Sequence, residues 1–150
     1  MGAAMTDTSG TSGTSGIPDV GIDAASGFLK AAGLDVTLAT GTRVEGHVEL
    51  DERHHTPWGV VHGGVYATFV ESAGSIGASA AVADRGQFAV GVHNATDFLR
   101  PSKGGRAKVV AEPIQQGRTQ QLWLVEVMDE SSGKTLARGQ LRLQNVPLPE

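Results

Sequence analysis

Polar and apolar positions change period along the chain. Leu34–Leu38 alternates apolar and polar residues as a half-buried strand does, and Thr42–Leu50 repeats the pattern. In the second run Val44, His47 or Val48, and Leu50 are the candidate inward positions, while His47 on its own reads as an exposed strand residue. Gly41 between the runs favours a hairpin. From Val65 onward Ala, Val, Phe and Ile continue without proline, which predicts a helix over Gly64–Ala83, roughly 30 Å long at 1.5 Å per residue. Apolar on most sides, that helix is expected inside a core. Thr68, Glu71, Ser72, Ser75 and Ser79 interrupt it, so it does not read as a membrane span.

Beyond the helix Asp84-Arg85-Gly86 is a turn, and alternation returns. Strands are expected at Gln87–His93, continuing across a bend through Asn94–Leu99, and at Ala107–Ile114, Thr119–Met128 and Leu136–Leu143. Turns fall at Gly117 and at Asp129–Gly133. Ahead of the first strand, Ala24–Ala32 is a short helix candidate with Asp23 as N-cap and Gly33 as terminator, packed by Phe28 and Leu29. One long helix with antiparallel strands gives an α+β class. Small residues at Ala67, Gly74, Gly77, Ala78 and Ala81 would let a sheet approach the helix closely.

Composition narrows the function classes. A chain of 150 residues is expected to hold one domain, here residues 17–150. Met1–Gly16 is a Gly, Ser and Thr tail with three tandem TSG units, too poor in apolar residues to order itself. A net charge of −4 argues against a nucleic-acid partner. The absence of cysteine removes disulfides, thiol nucleophiles and zinc–thiolate sites together. No cation-led apolar run opens the chain, so a soluble cytoplasmic protein without a membrane partner is the expectation.

The candidate chemistry centres on Glu71, the one carboxylate between Arg53 and Asp84, a stretch without Lys or Arg. Thr68 three residues back and Ser75 four residues on share its helix face. His62 stands just before the helix, whose first amides, at Gly63 and Gly64, lack intrahelical partners. Those donors and the helix dipole could hold a developing oxyanion. A carboxylate, an imidazole, a hydroxyl and free amides suit acyl transfer or hydrolysis. Equally, Glu71 could pair with a buried Arg or His, His62 could bond a loop carbonyl, and Ser75 could serve close packing; spacing leaves both readings open. Arg100, Lys103, Arg106 and Lys108 gather positive charge with no acid between Arg100 and Lys108. That suits phosphates or an ordinary solvated turn.

The run His62-Gly63-Gly64 followed by Glu71 and Ser75 resembles the hotdog-fold acyl-CoA thioesterases of the PaaI-like group. PWGVVHGG, VESAGSIG, NATDFLRP and QGRTQQLWLVEV look most like the aryl-CoA branch, which includes 4-hydroxybenzoyl-CoA and 1,4-dihydroxy-2-naphthoyl-CoA thioesterases. The likeness runs from about Gly33 to Leu143. It implies about six strands curled around the long helix. It also implies that Glu71 is nucleophile or general base, that the Gly63 amide polarises the carbonyl, and that His62 and Ser75 line the site. Thr56 stands where this branch usually carries Gln or Asn near that carbonyl, with His54 and His55 beside it. The resemblance further places nucleotide contacts at Arg100, Arg118 and Thr119. Lys103 joins them on charge, and Trp58 as an aromatic contact for the acyl group. Water is the implied co-substrate, with no metal and no cofactor beyond the CoA of the substrate. Dimers with shared sites, assembled as a dimer of dimers, are the implied homo-oligomer. Two other classes stand beside this one: a hotdog hydratase or dehydratase, and a non-catalytic acyl-CoA sensing module.

Overall fold

The computed structural model describes residues 26–150, so the expected tail, the Asp23 cap and the start of the first helix lie outside the described residues. Helix α1, Gly27–Ala32, ends at Gly33, whose φ of 80° allows its amide to reach the Leu29 carbonyl. Phe28 (68 % exposed) and Leu29 do not pack it onto the domain as expected; Ala32 alone is buried. So short a helix turns one small residue inward and leaves the large ones outside.

Six strands follow: β1 (Asp35–Ala39), β2 (Val44–Leu50), β3 (Gln87–Phe98), β4 (Gly105–Gln116), β5 (Gln120–Asp129) and β6 (Thr135–Pro147). They form one sheet in the order β1-β2-β4-β5-β6-β3, with every neighbour antiparallel. Alternation decides which residues face inward. Val44, Val48 and Leu50 of β2, Val109 of β4, Trp123, Val125 and Val127 of β5, and Leu141 and Leu143 of β6 are buried. His47 is half-buried rather than exposed, its Nδ1 2.8 Å from the Glu130 carboxylate. Strand β6 outruns its expected end at Leu143 because Gln144–Pro147 pair with Val90–Gln87 of β3.

Helix α2, Gly63–Val82, lies on one face of the sheet and touches all six strands. Tyr66, Phe69, Val70, Ala73, Gly74, Gly77, Ala78 and Val82 are its buried residues, spaced three and four apart. A single face is therefore buried, and the expectation of a helix enclosed all round is corrected; Glu71 is exposed. Two glycines set the distance to the sheet. A Cβ at Gly77 would lie 2.4 Å from the Trp123 ring, and one at Gly74 2.7 Å from Leu141.

Strand β3 ends the sheet. It pairs with β6 on one side, and the register shifts between Gly91 and His93, a bulge that makes the expected bend. Two polar ties hold it to α2. The Asn94 side chain donates to the Ala67 carbonyl at 3.0 Å, and the Ala89 amide donates to the Ser79 hydroxyl at 3.0 Å. Among the described residues no helix is long and apolar enough to cross a membrane.

Candidate active site

The loop before α2 is fixed from several sides. Asp51 caps a short 3₁₀ turn, Glu52–His54, and Arg53 bonds its carboxylate and holds the pKa down to about 2. The buried His54 ring accepts the Asp51 amide at Nδ1 (3.1 Å), so its Nε2–H donates to the Ala32 carbonyl (3.0 Å). The His54 carbonyl accepts the His62 amide at 2.8 Å, and the Ser102 carbonyl accepts the Val61 amide at 2.8 Å. Both His54 nitrogens are thus engaged, and His55 lies against the Lys103 carbonyl at 2.7 Å. His54 thus has no ring nitrogen left for a ligand, while His55 uses Nε2 alone.

Thr56 organises a tight turn. Its carbonyl accepts the Gly59 amide at 3.0 Å and its hydroxyl oxygen accepts the Trp58 amide at 3.2 Å, with Gly59 at φ 76°. The hydroxyl keeps its own hydrogen as a donor. Trp58 rides at the tip of the turn, 86 % exposed.

His62 is the N-cap of α2: its Nδ1 accepts the Gly64 amide at 2.9 Å. The expectation of two free glycine amides is thereby corrected, because the histidine takes the second one for itself. With Nδ1 accepting, the ring hydrogen lies on Nε2, which is left as a donor. The Phe98 ring packs over Gly63, where a Cβ would come within 2.8 Å of it, and stacks obliquely on Tyr66 with centroids 6.4 Å apart. Burial raises the Tyr66 hydroxyl above the usual phenol range.

Glu71 projects from the middle of α2 toward β3. Its carboxylate occupies the space that Gly91 leaves empty, for a Cβ at Gly91 would sit 2.2 Å from Glu71 Oε1. Among the described residues no Arg, Lys or His pairs with it, so the ion-pair alternative left open by spacing has no partner here. Ser75 is half-buried one turn further on, while the Thr68 hydroxyl is spent on the Gly64 carbonyl at 2.8 Å. Gly63 and Glu71 are eight residues apart on one helix, roughly 12 Å of rise. One chain therefore does not bring the carboxylate and the amide onto the same carbonyl.

The cations divide as well. Arg100 and Lys103 follow β3 at the N-terminal end of α2, where Arg100 lines a cleft of about 380 Å³ with Ser102, Asp129 and Lys134. Arg118 and Thr119 lie in the β4–β5 turn, beside the C-terminal half of α2 through the Gln121 bond to the Ala78 carbonyl. Arg106 and Lys108 are not free charges. Arg106 pairs with Glu49 (3.0 Å) and Glu130 (2.8 Å), and Lys108 approaches Glu45 at 3.7 Å. Their partners come from β2 and from the β5–β6 turn, which a count along the chain does not see. Sequence reasoning misses Gly91 as the residue that makes room for Glu71, although a lone glycine inside a strand pattern is a signal of close approach.

The family model described as "Thioesterase superfamily" matches residues 59–136, which hold His62, Gly63, Glu71 and Ser75. A Mycobacterium tuberculosis protein named "Putative esterase" is 48% identical over 90 residues, 59% of this chain and 64% of that relative. The match thus spans less than two thirds of that relative's own length. Its solved structure superposes with a TM-score of 0.78 at 38% identity, covering 82% of this chain and 98% of the other. The Bacillus subtilis protein ComA2 is 31% identical over 103 residues, 69% of this chain and 82% of its own. A Haemophilus influenzae thioesterase structure gives a TM-score of 0.75 at 28% identity, over 82% of this chain and 85% of that one.

Proposed function

The chain belongs to the thioesterase superfamily, and from that premise we propose that it hydrolyses acyl-CoA thioesters, with Glu71 as the reacting carboxylate. The observation that carries this reading is the Glu71 side chain itself: exposed, without a cation partner among the described residues, and seated over a slot that Gly91 clears for it. An acid retained in an otherwise uncharged helix, and given room by a neighbouring strand, is placed for chemistry rather than for an ion pair. The Gly63 amide and the His62 Nε2–H supply the donors that polarise the thioester carbonyl. Glu71 then either attacks the carbonyl carbon, forming an anhydride that water opens after the thiolate has left, or takes a proton from the water that attacks. The C–S bond breaks, CoA leaves as the thiolate and the acid is released. Water is the co-substrate, and no metal or separate cofactor enters the scheme.

The site is completed by a second copy. Glu71 of one subunit would face His62 and Gly63 of the other, which answers the roughly 12 Å that separates them within one helix. Strand β3 offers the means, with one edge unpaired among the described residues and Val92, Phe98 and Leu99 more than half exposed beside it. A dimer of dimers is the assembly we favour. Arg100 and Lys103 at one end of α2, and Arg118 and Thr119 at the other, are then contributed by different subunits to the phosphates of CoA. Phe98, exposed over Gly63, and Trp58, exposed in the loop that leads to α2, favour an aromatic acyl group of the aryl-CoA branch.

The test is thiol release from benzoyl-, 4-hydroxybenzoyl-, 1,4-dihydroxy-2-naphthoyl-, short-chain and long-chain acyl-CoA, with wild type and Glu71→Ala. Turnover of the aryl thioesters, lowered in the variant by about a hundredfold or more, is expected. A variant that hydrolyses normally removes Glu71 from the mechanism. No release from any thioester, with CoA still bound, makes the protein a non-catalytic acyl-CoA module.

A further inference from the structure

Two amide side chains are buried in a layer that is otherwise apolar. Gln121 is 2 % exposed and Asn145 is 6 % exposed. Gln121 Nε2 donates to the Ala78 carbonyl (2.9 Å) and to Asn145 Oδ1 (2.8 Å). Its Oε1 accepts from Trp123 Nε1 (3.0 Å) and from Gln116 Nε2 (3.3 Å). Asn145 spends both hydrogens of its Nδ2 on the β4–β5 turn, at the carbonyls of Gly117 (3.2 Å) and Arg118 (3.1 Å), and its backbone amide on the Thr119 carbonyl (2.8 Å).

Apolar residues of the same volume could fill this space, though the buried Trp123 Nε1–H would lose its acceptor. What they would not do is hold three successive carbonyls of one turn inward. With those carbonyls drawn toward Asn145, the side chains of Arg118 and Thr119 are turned out into solvent, and both are exposed. Among the described residues no carboxylate pairs with Arg118. The network runs unbroken from α2, through Gln121 and Asn145, to that turn.

We propose that Asn145, itself held by Gln121, is a positioning residue that presents Arg118 to the phosphate-bearing nucleotide end of the substrate. The inference rests on the acyl-CoA reading above and adds how one half of the nucleotide contact is fixed in advance. A turn already ordered in the free protein spares the cost of ordering it on binding, so losing Asn145 weakens nucleotide contact and leaves the reacting carbonyl alone.

Three variants decide it: Asn145→Ala, Arg118→Ala and the double variant. Each is assayed on a CoA thioester and on the N-acetylcysteamine thioester of the same acyl group, which lacks the nucleotide. Binding of adenosine 3′,5′-bisphosphate is measured by calorimetry alongside. Asn145→Ala is expected to raise KM for the CoA thioester about tenfold with kcat unchanged, and to leave the truncated ester unaffected. Bisphosphate binding should weaken by the same factor, and the double variant should be no weaker than Arg118→Ala. The proposal is overturned if both esters suffer alike, if the two substitutions multiply, or if Asn145→Ala is silent while Arg118→Ala is not. An Arg118→Ala variant unchanged on CoA substrates would instead remove this turn from the acyl-CoA reading. Where the alanine variant does not fold, Asn145→Ser replaces it: one hydroxyl donor stands in for two amide hydrogens, and the same pattern is expected with a smaller effect.

Discussion

The Glu71 carboxylate and the missing side chain of Gly91 form one feature made from two residues. A methyl group at position 91 would stand 2.2 Å from Oε1, so Gly91→Ala must push the carboxylate out of its slot. Because Gly91 is exposed on the edge strand, the same substitution has little core packing to disturb. Gly91→Ala should therefore lower kcat by about ten- to a hundredfold, with a melting temperature close to wild type. Kinetics and thermal unfolding of one preparation check both halves, and an unchanged kcat would show that the carboxylate needs no such space. His62 illustrates what spacing cannot give. Its place before Gly63-Gly64 marks a helix start, but only the folded backbone shows the ring turning back to take the Gly64 amide. That bond leaves Gly63 as the donor available to a ligand.

At the scale of elements, α2 is held close to the sheet by the residues it lacks. Gly77 lies under Trp123, the largest fully buried side chain, and a Cβ there would be 2.4 Å from its ring. Gly77→Ala should destabilise the fold by about 1–3 kcal/mol through overpacking, despite the better helix propensity of alanine. Chemical denaturation measures this, and a stabilised variant would mean that the layer yields more easily than the contact implies. The strands were legible because alternation in β2, β4 and β5 matches a sheet buried on one face. Other features were not legible because they depend on pairing across the chain. The last turn of β6 exists through its bonds to β3, and Arg106 and Lys108 meet Glu45, Glu49 and Glu130 only once β2, β4 and the β5–β6 turn lie together. Glu71 was expected inside a core because α2 is apolar nearly throughout; it lies instead at the margin of the helix–sheet contact, against the edge strand β3, where it stays exposed.

For the whole molecule, the decisive fact is that the groups suited to one reaction stand apart on a straight helix. A fold of one helix and one sheet cannot bend Gly63 onto Glu71, so the proposed reaction requires a second copy, for which the edge of β3 left unpaired among the described residues is the surface we propose. Sequence order names the proposed participants; the distance between them follows from the helix. The most direct measurement is subunit complementation. Glu71→Ala chains are mixed with His62→Ala chains, which lack the imidazole donor that the second copy would supply. Each variant alone should release almost no thiol from an acyl-CoA thioester. Random pairing into shared-site dimers leaves one intact site in every mixed dimer, so the mixture should recover about a quarter of wild-type activity. A mixture as inactive as its parents, with mixed dimers shown to form, would contradict a site divided between two copies.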